Sequence, residues 1–269
     1  MENVRIGLSP LLGTTLNPVM VSSYPKFASA ASAAGVVEAI DRRGKWLVLH
    51  LSRDAHPVAD LVVHLGMTGR LVLDENRPTG PHLHALWRVD RSDAEGGLWL
   101  GFFDPRRFGR LVCTPPGDHT SLPGLSTLGP DATGAADVVA ALAALSTSTR
   151  PVKTVLLDQS VLAGAGNIYC DEALFESRIH PATPCSRLTT PDRTALAQAL
   201  SESLLSSIAA GGTTFRDYRR PDGTSGSNVH KLRCYGRAGL PCLRCSSVIT
   251  TTRVAGRSTS FCPTCQPPR

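Results

Sequence analysis

Up to about residue 115, apolar residues come in short runs rich in Val, Leu, Ile and aromatics, broken by Gly, Pro and Asp. Residues 36–50 read as strand–turn–strand with Gly44 at the bend. Further strand-like runs follow at 61–65, 69–73, 84–89, 98–103 and 109–113. Short strands separated by turn formers predict a β-sandwich or barrel. The stretch 115–130 is dense in turn formers and reads as a linker. Beyond it the pattern becomes helical, at 137–145, 153–158, 168–177 and, longest, 190–208. Thr190 is the expected cap of the last helix, Pro191 suits its first turn, and Gly211 and Gly212 stop it. Residues 216–230 are Gly-, Ser- and Arg-rich and read as a mobile loop. The expected class is multi-domain α+β. Its parts are a β-sandwich over 1–115, a linker over 116–130, a helical domain over 131–235 and a cysteine module over 236–269.

The chain has 269 residues and a formal charge of +6. No run reaches the roughly 18 apolar residues needed to span a bilayer, and no signal-peptide pattern opens the chain, so a cytosolic location is expected. The charge is unevenly placed: residues 212–269 hold 10 Lys/Arg against 2 Asp/Glu, whereas 1–211 hold 18 against 20. A basic block on one end of a chain is the footprint of a polyanion partner. A solvated basic tail is the plainer reading.

The eight cysteines change the picture further. Cys113, Cys170, Cys185 and Cys234 are scattered and read as small buried hydrophobes. Cys242 and Cys245, then Cys262 and Cys265, form two C-x2-C pairs separated by 16 residues. Such knuckles bring four thiolates into tetrahedral reach of one zinc ion. Two disulfides are the alternative, disfavoured in a reducing cytosol. The segment between the pairs reads as a β-hairpin with Gly256 and Arg257 at its tip, and Arg253, Arg244 and Arg237 nearby. A module this short takes its folding energy from the metal. With four protein ligands the ion is structural.

Two other segments carry candidate chemistry. Gly164 and Gly166 precede a helix at Asn167. Glycine admits a close backbone approach, and a helix N-terminus offers free N–H groups to a phosphate, with Lys153 and Asn167 placed to add side-chain contacts. Alone, this is also an ordinary helical hairpin. Met67 and Phe108 would usually be core residues, but flanking Gly66, Gly69 and Gly109 put them on turns and favour exposure. His82 and His84 form a His-x-His pair without an evident third metal ligand.

Three stretches together resemble the formamidopyrimidine-DNA glycosylase (Fpg) family and its Nei relatives. They are Asp104-Pro-Arg-Arg-Phe-Gly109, the run from Leu157 to Tyr169, and the two C-x2-C pairs. The resemblance runs from Glu2 to Gln266. It implies a β-sandwich, a helix–two-turn–helix domain and a zinc ribbon, with duplex DNA in the cleft between the first two. It also implies base-excision repair: glycosylase and abasic-site lyase activity on oxidised purines, 8-oxoguanine and formamidopyrimidines. The Fpg branch is favoured over Nei by the segment 211–218 and the loop after it. By position, Met67, Arg106 and Phe108 fill the gap left by an extruded base. His82 contacts DNA, Lys45 reaches the lesion's phosphodiester, and Arg257 grips the phosphates flanking the damaged nucleotide. The partner is double-stranded DNA carrying oxidised bases or abasic sites, bound by a monomer.

One departure bears on the chemistry. The family begins Pro-Glu-Leu-Pro-Glu-Val-Glu and uses the terminal proline as nucleophile, whereas this chain reads Met1-Glu2-Asn3-Val4. Met1 falls on the family's Val, and a start upstream of Met1 is the expectation. The alternative is a paralogue without the nucleophile that binds damaged or abasic DNA. A zinc-ribbon transcription or translation factor would leave the Asp104–Gly109 and Gly164–Tyr169 motifs without a role.

Overall fold

The computed structural model describes residues 1–90, 97–214 and 219–269. It divides into two compact units: Met1–Ser126 with Gly211–Ser227, and Thr127–Ala210 with Asn228–Arg269.

The first unit opens with α1 (Glu2–Gly7) and continues as strands β1 (Thr15–Val21), β2 (Gly35–Arg43), β3 (Trp46–Arg53), β4 (His56–His64), β5 (Arg70–Asp74), β6 (Leu83–Asp90), β7 (Leu98–Phe103) and β8 (Arg110–Thr114). Every strand pairing is antiparallel, in the order β5-β7-β6-β1-β2-β3-β4-β8. β1 and β2 share only two residue pairs, Thr15 with Val36 and Leu16 with Gly35. The sheet turns there into the two halves of the expected sandwich. One continuous core lies between them, with Leu47, Leu49 and Leu51 from β3 and Leu61 and Val63 from β4 on one side. Trp87, Leu100 and Phe102 face them from the other half. Strand β1 escapes the sequence pattern because Pro18 and the register shift after it interrupt its alternation.

Two boundaries differ from expectation. The first part of the predicted linker is packed on the sandwich: α2 (Pro123–Ser126) buries Leu125, and the Trp46 indole donates to the Gly124 carbonyl at 2.8 Å. Residues 211–227 also belong to the β unit. The Leu73 amide donates to Pro221 O at 3.0 Å, and Thr213 bridges Ser227. The segment read as a mobile loop is partly ordered, since Asp222 accepts from the Thr224 amide and hydroxyl. Residues 215–218, which contributed to the branch assignment, lie outside the described residues.

The second unit holds α3 (Ala135–Ala144), α4 (Val152–Leu157), α5 (Asn167–Glu176), α6 (Thr190–Ala209) and the hairpin β9 (Thr250–Val254) with β10 (Arg257–Phe261). Helices α4 and α5 with the bend between them are the expected helix–two-turn–helix. The cap of α6 is Thr189, one residue earlier than predicted. Its side chain and that of Asp192 bond each other's backbone amides in a capping box. The finger is not a free module. Glu172 of α5 accepts from the amides of Arg233, Cys234 and Tyr235 at 2.8, 2.9 and 2.7 Å. Gln266, fully buried, bonds both Cys262 N and Ile179 O. No helix among the described residues is long and apolar enough to cross a membrane.

Candidate functional site

In the β unit, Met1, Lys45, His64, Leu65, Gly66, Met67 and Gly69 line a pocket of about 200 Å³. Lys45 is carried on the β2–β3 turn, where Gly44 takes φ +57. The α-amine of Met1 has its pKa lowered to about 6, first by burial, then by the positive charge of Arg42 and, after it, Lys45, against the opposing pull of Glu2. Glu2 accepts from Arg5 at 2.6 and 2.9 Å and from Arg42 at 2.9 Å. Those guanidinium groups hold its carboxyl below the usual range. An amine in this setting is neutral near pH 7.

His64 is the pocket's second polar group. Burial, then Lys45 and Arg110, push its pKa down to about 4, so it is neutral at working pH. The Gly66 amide donates to its Nδ1 at 3.1 Å, which leaves the proton on Nε2. Its ring packs on Trp46 at 4.7 Å. The neutral ring is therefore a hydrogen-bond donor without charge.

Two loops meet at the pocket's rim. A Cβ on Gly66 would lie 2.7 Å from Phe108 C and 2.8 Å from Gly109 N, so only glycine lets the 65–69 and 104–109 loops touch. Asp104, fully buried, pins both. It accepts from the Thr68 hydroxyl at 2.7 Å, the Gly109 amide at 2.7 Å and the Arg106 amide at 3.3 Å. The pinned loops hold Met67 at 62% exposure and Phe108 at 50%. The Arg106 guanidinium lies over the Phe108 ring at 4.5 Å. A fully satisfied buried carboxylate thus holds apolar side chains in water, against their usual fate.

His82 is exposed with φ +67, and its carbonyl accepts from the Asp104 amide. His84 is buried, its ring tilted against Phe27 at 4.8 Å with Nε2 at 3.0 Å from Asp104 O. The pair therefore serves packing on one side and the surface on the other.

In the helical unit, the Sγ atoms of Cys242, Cys245, Cys262 and Cys265 lie within 4.8 Å of one another. Contacts of 3.5 and 3.9 Å match the edge of a thiolate tetrahedron around zinc, about 3.8 Å for Zn–S bonds of about 2.3 Å. Amides of Arg244 and Cys265 point at Cys242 and Cys262 sulfurs at 3.4 Å, as donors to thiolates do. These four residues hold one structural zinc.

The hairpin tip is the two-residue turn Ala255–Gly256, both with positive φ, and Arg257 is the first residue of β10, exposed. Arg253 is exposed as well. Arg244 differs from expectation: it donates to Phe175 O and Glu176 O at the end of α5 and lies over the Phe175 ring, closing the helix terminus.

Lys153 also requires correction. It is 0% exposed, and its ammonium meets Asp171 Oδ1 at 2.5 Å, Thr259 Oγ1 at 2.7 Å and Ser258 O at 3.2 Å. Three donors are used on three oxygens, so Lys153 does not offer itself to a phosphate. Burial pushes the Asp171 carboxyl up, against the pull of Lys153. Asn167 opens α5 and donates to Ser258 O at 2.9 Å.

Sequence reasoning missed His64, Trp46 and Asp171. His64 stands only three residues before Met67. Asp171 carried no signal, because its partners lie 18 and 89 residues away.

Family models match along the chain. The formamidopyrimidine-DNA glycosylase N-terminal domain matches residues 1–111, the corresponding H2TH domain 128–219, and the zinc finger found in FPG and IleRS 239–268. The chain is 42% identical over 272 residues to a formamidopyrimidine-DNA glycosylase of Thermus thermophilus, covering 99% of this chain and 96% of the relative. It is 37% identical to that of Deinococcus radiodurans, covering 100% and 96%. The crystal structure of MutM (Fpg) from Thermus thermophilus aligns with TM-score 0.86 at 39% identity, covering 100% of this chain and 97% of that one. The Lactococcus lactis Fpg in complex with abasic-site DNA aligns at 0.83 and 27%, covering 99% and 97%. The chain belongs to the formamidopyrimidine-DNA glycosylase family, enzymes that excise damaged bases in DNA repair.

Proposed function

We propose that this protein is a bifunctional glycosylase and abasic-site lyase acting on oxidised purines in duplex DNA. The observation that carries the reading is the pocket of Met1, Lys45 and His64 beside the exposed Met67, Arg106 and Phe108. An enzyme that works on a base within a duplex must extrude it and fill the space left behind. Met67 and Phe108 fill it, and Arg106 meets the orphaned partner base. The sugar of the extruded nucleotide then faces the pocket, where a neutral amine attacks its anomeric carbon. The base departs, a Schiff base forms, and elimination cuts the strand. Lys45 and the neutral Nε2–H of His64 hold the adjoining phosphate. His82 adds a further DNA contact. From the other unit, Asn167 and Arg257 grip the backbone through contacts that position DNA without reading sequence. Zinc supplies only the rigidity of the finger.

Two polypeptides test the reading. One is the chain starting at Met1; the other carries Pro-Glu-Leu-Pro-Glu-Val ahead of Glu2. Each is given a duplex with a single 8-oxoguanine. The expected result is release of 8-oxoguanine and strand cleavage by the proline-started chain, and tight lesion binding with slower or no release by the other. Absence of release and of lesion preference in both would contradict the proposal.

A further inference from the structure

We infer that Lys153, Asp171 and Thr259 form a socket that fixes the register of the finger hairpin, so that Lys153 is a positioning residue for Arg257. The inference rests on the reading of Arg257 as a phosphate grip. A two-stranded hairpin of five residues per strand is marginal by itself, and slipping its register by one residue would flip every side chain to the other face. Here each residue from 257 to 260 is held from the strand's own side or from α4 and α5. The Lys153 ammonium donates to Thr259 Oγ1 at 2.7 Å, and that hydroxyl donates onward to Arg257 O at 3.1 Å. Ser258 O accepts from both Lys153 and Asn167. The Ser260 amide donates to Asp171 Oδ2 at 2.9 Å, while the other Asp171 oxygen holds Lys153. Thr259 itself is fully buried. The charge of Lys153 is thus spent on backbone placement, and the cation this arrangement turns outward is that of Arg257.

The test measures affinity of the full-length, zinc-loaded chain for a duplex containing a tetrahydrofuran abasic-site analogue, a readout that needs no chemistry. Arg257→Ala is expected to weaken binding about ten- to hundredfold, the scale of one charge-assisted contact. Lys153→Met and the isosteric Thr259→Val are expected to weaken it in the wild-type background. In the Arg257→Ala background neither should add more than about twofold, because both act through the arginine. Thr259→Ser should restore wild-type affinity. Zinc content checks that each finger is folded; Thr259→Val keeps the cycle readable should Lys153→Met fail to fold. Losses of equal size in both backgrounds, or no loss in the wild-type background, would overturn the socket alone. Wild-type binding by Arg257→Ala would overturn the reading of Arg257 and the socket with it.

Discussion

The wedge loops of the β unit and the finger hairpin of the helical unit solve one problem by different means. Each must hold exposed side chains in a fixed direction, and each does so from a turn with left-handed residues: Gly66 and Arg107 in one, Ala255 and Gly256 in the other. Each is pinned by a buried aspartate. Asp104 is satisfied by neutral donors, two amides of its own loop and the Thr68 hydroxyl of the other. Asp171 is held by a buried lysine and reaches a strand 89 residues on. The β unit can use the neutral pin because a large core supports it. The finger has a small cluster of Phe175, Ile249 and cysteines, and adds a metal and an ion pair.

The contrast can be broken most forcefully at the metal. Chelating zinc, or Cys262→Ser, removes a binding energy of about 10–16 kcal/mol. Loss of the hairpin and of DNA binding is expected, with hydrogen-exchange protection of β3 and β4 retained. Full binding by metal-free protein would show that the finger does not depend on its ion.

Asp104→Asn tests the neutral pin at smaller scale. The amide keeps the shape but presents a donor to another donor, at a cost of about 1–3 kcal/mol in urea unfolding. Lesion affinity should fall with it as the loops loosen. Unchanged stability would mean that Asp104 does not hold them.

Phe108→Ala sharpens the comparison further. The side chain is half exposed, so folding stability should move by no more than about 0.5 kcal/mol. Binding to lesion DNA should lose about 1–3 kcal/mol, the worth of a stacked aromatic, with binding to intact duplex little changed. Arg106→Ala should behave alike. Equal losses on both duplexes would contradict the wedge.

A pH slope gives a further test. His64 has its folded pKa lowered from the ordinary 6.5 to about 4, so protonation favours the unfolded chain. Its contribution to stability is present above about pH 6.5 and is lost as pH falls toward 4. His64→Asn should flatten that part of the profile in urea titrations. An identical slope in wild type and variant would place the titration elsewhere.

Much of this was legible in the chain. The strands on either side of Gly44, the four helices and the four zinc ligands follow from local spacing. The exposure of Met67 and Phe108 was readable from the glycines beside them, but the contact of Gly66 with Phe108 and Gly109 that requires glycine there joins separate loops and was not. Lys153 was misread because a lysine beside a glycine-rich bend usually faces water. Its burial depends on β10, over a hundred residues away. The membership of residues 211–227 in the β unit was hidden for the same reason, since a contact such as the Leu73 amide's bond to Pro221 O joins residues far apart in the chain. The lowered pKa values in the pocket come from burial and from cations on separate turns, which spacing does not reveal.

The most direct test of the account is borohydride reduction of the protein with abasic-site duplex, followed by mass mapping of the cross-linked peptide. A single adduct on the N-terminal amine of the proline-started chain is expected, formed from the neutral amine and therefore falling off as the pH is lowered. An adduct on Lys45, or no adduct from either polypeptide start, would contradict it.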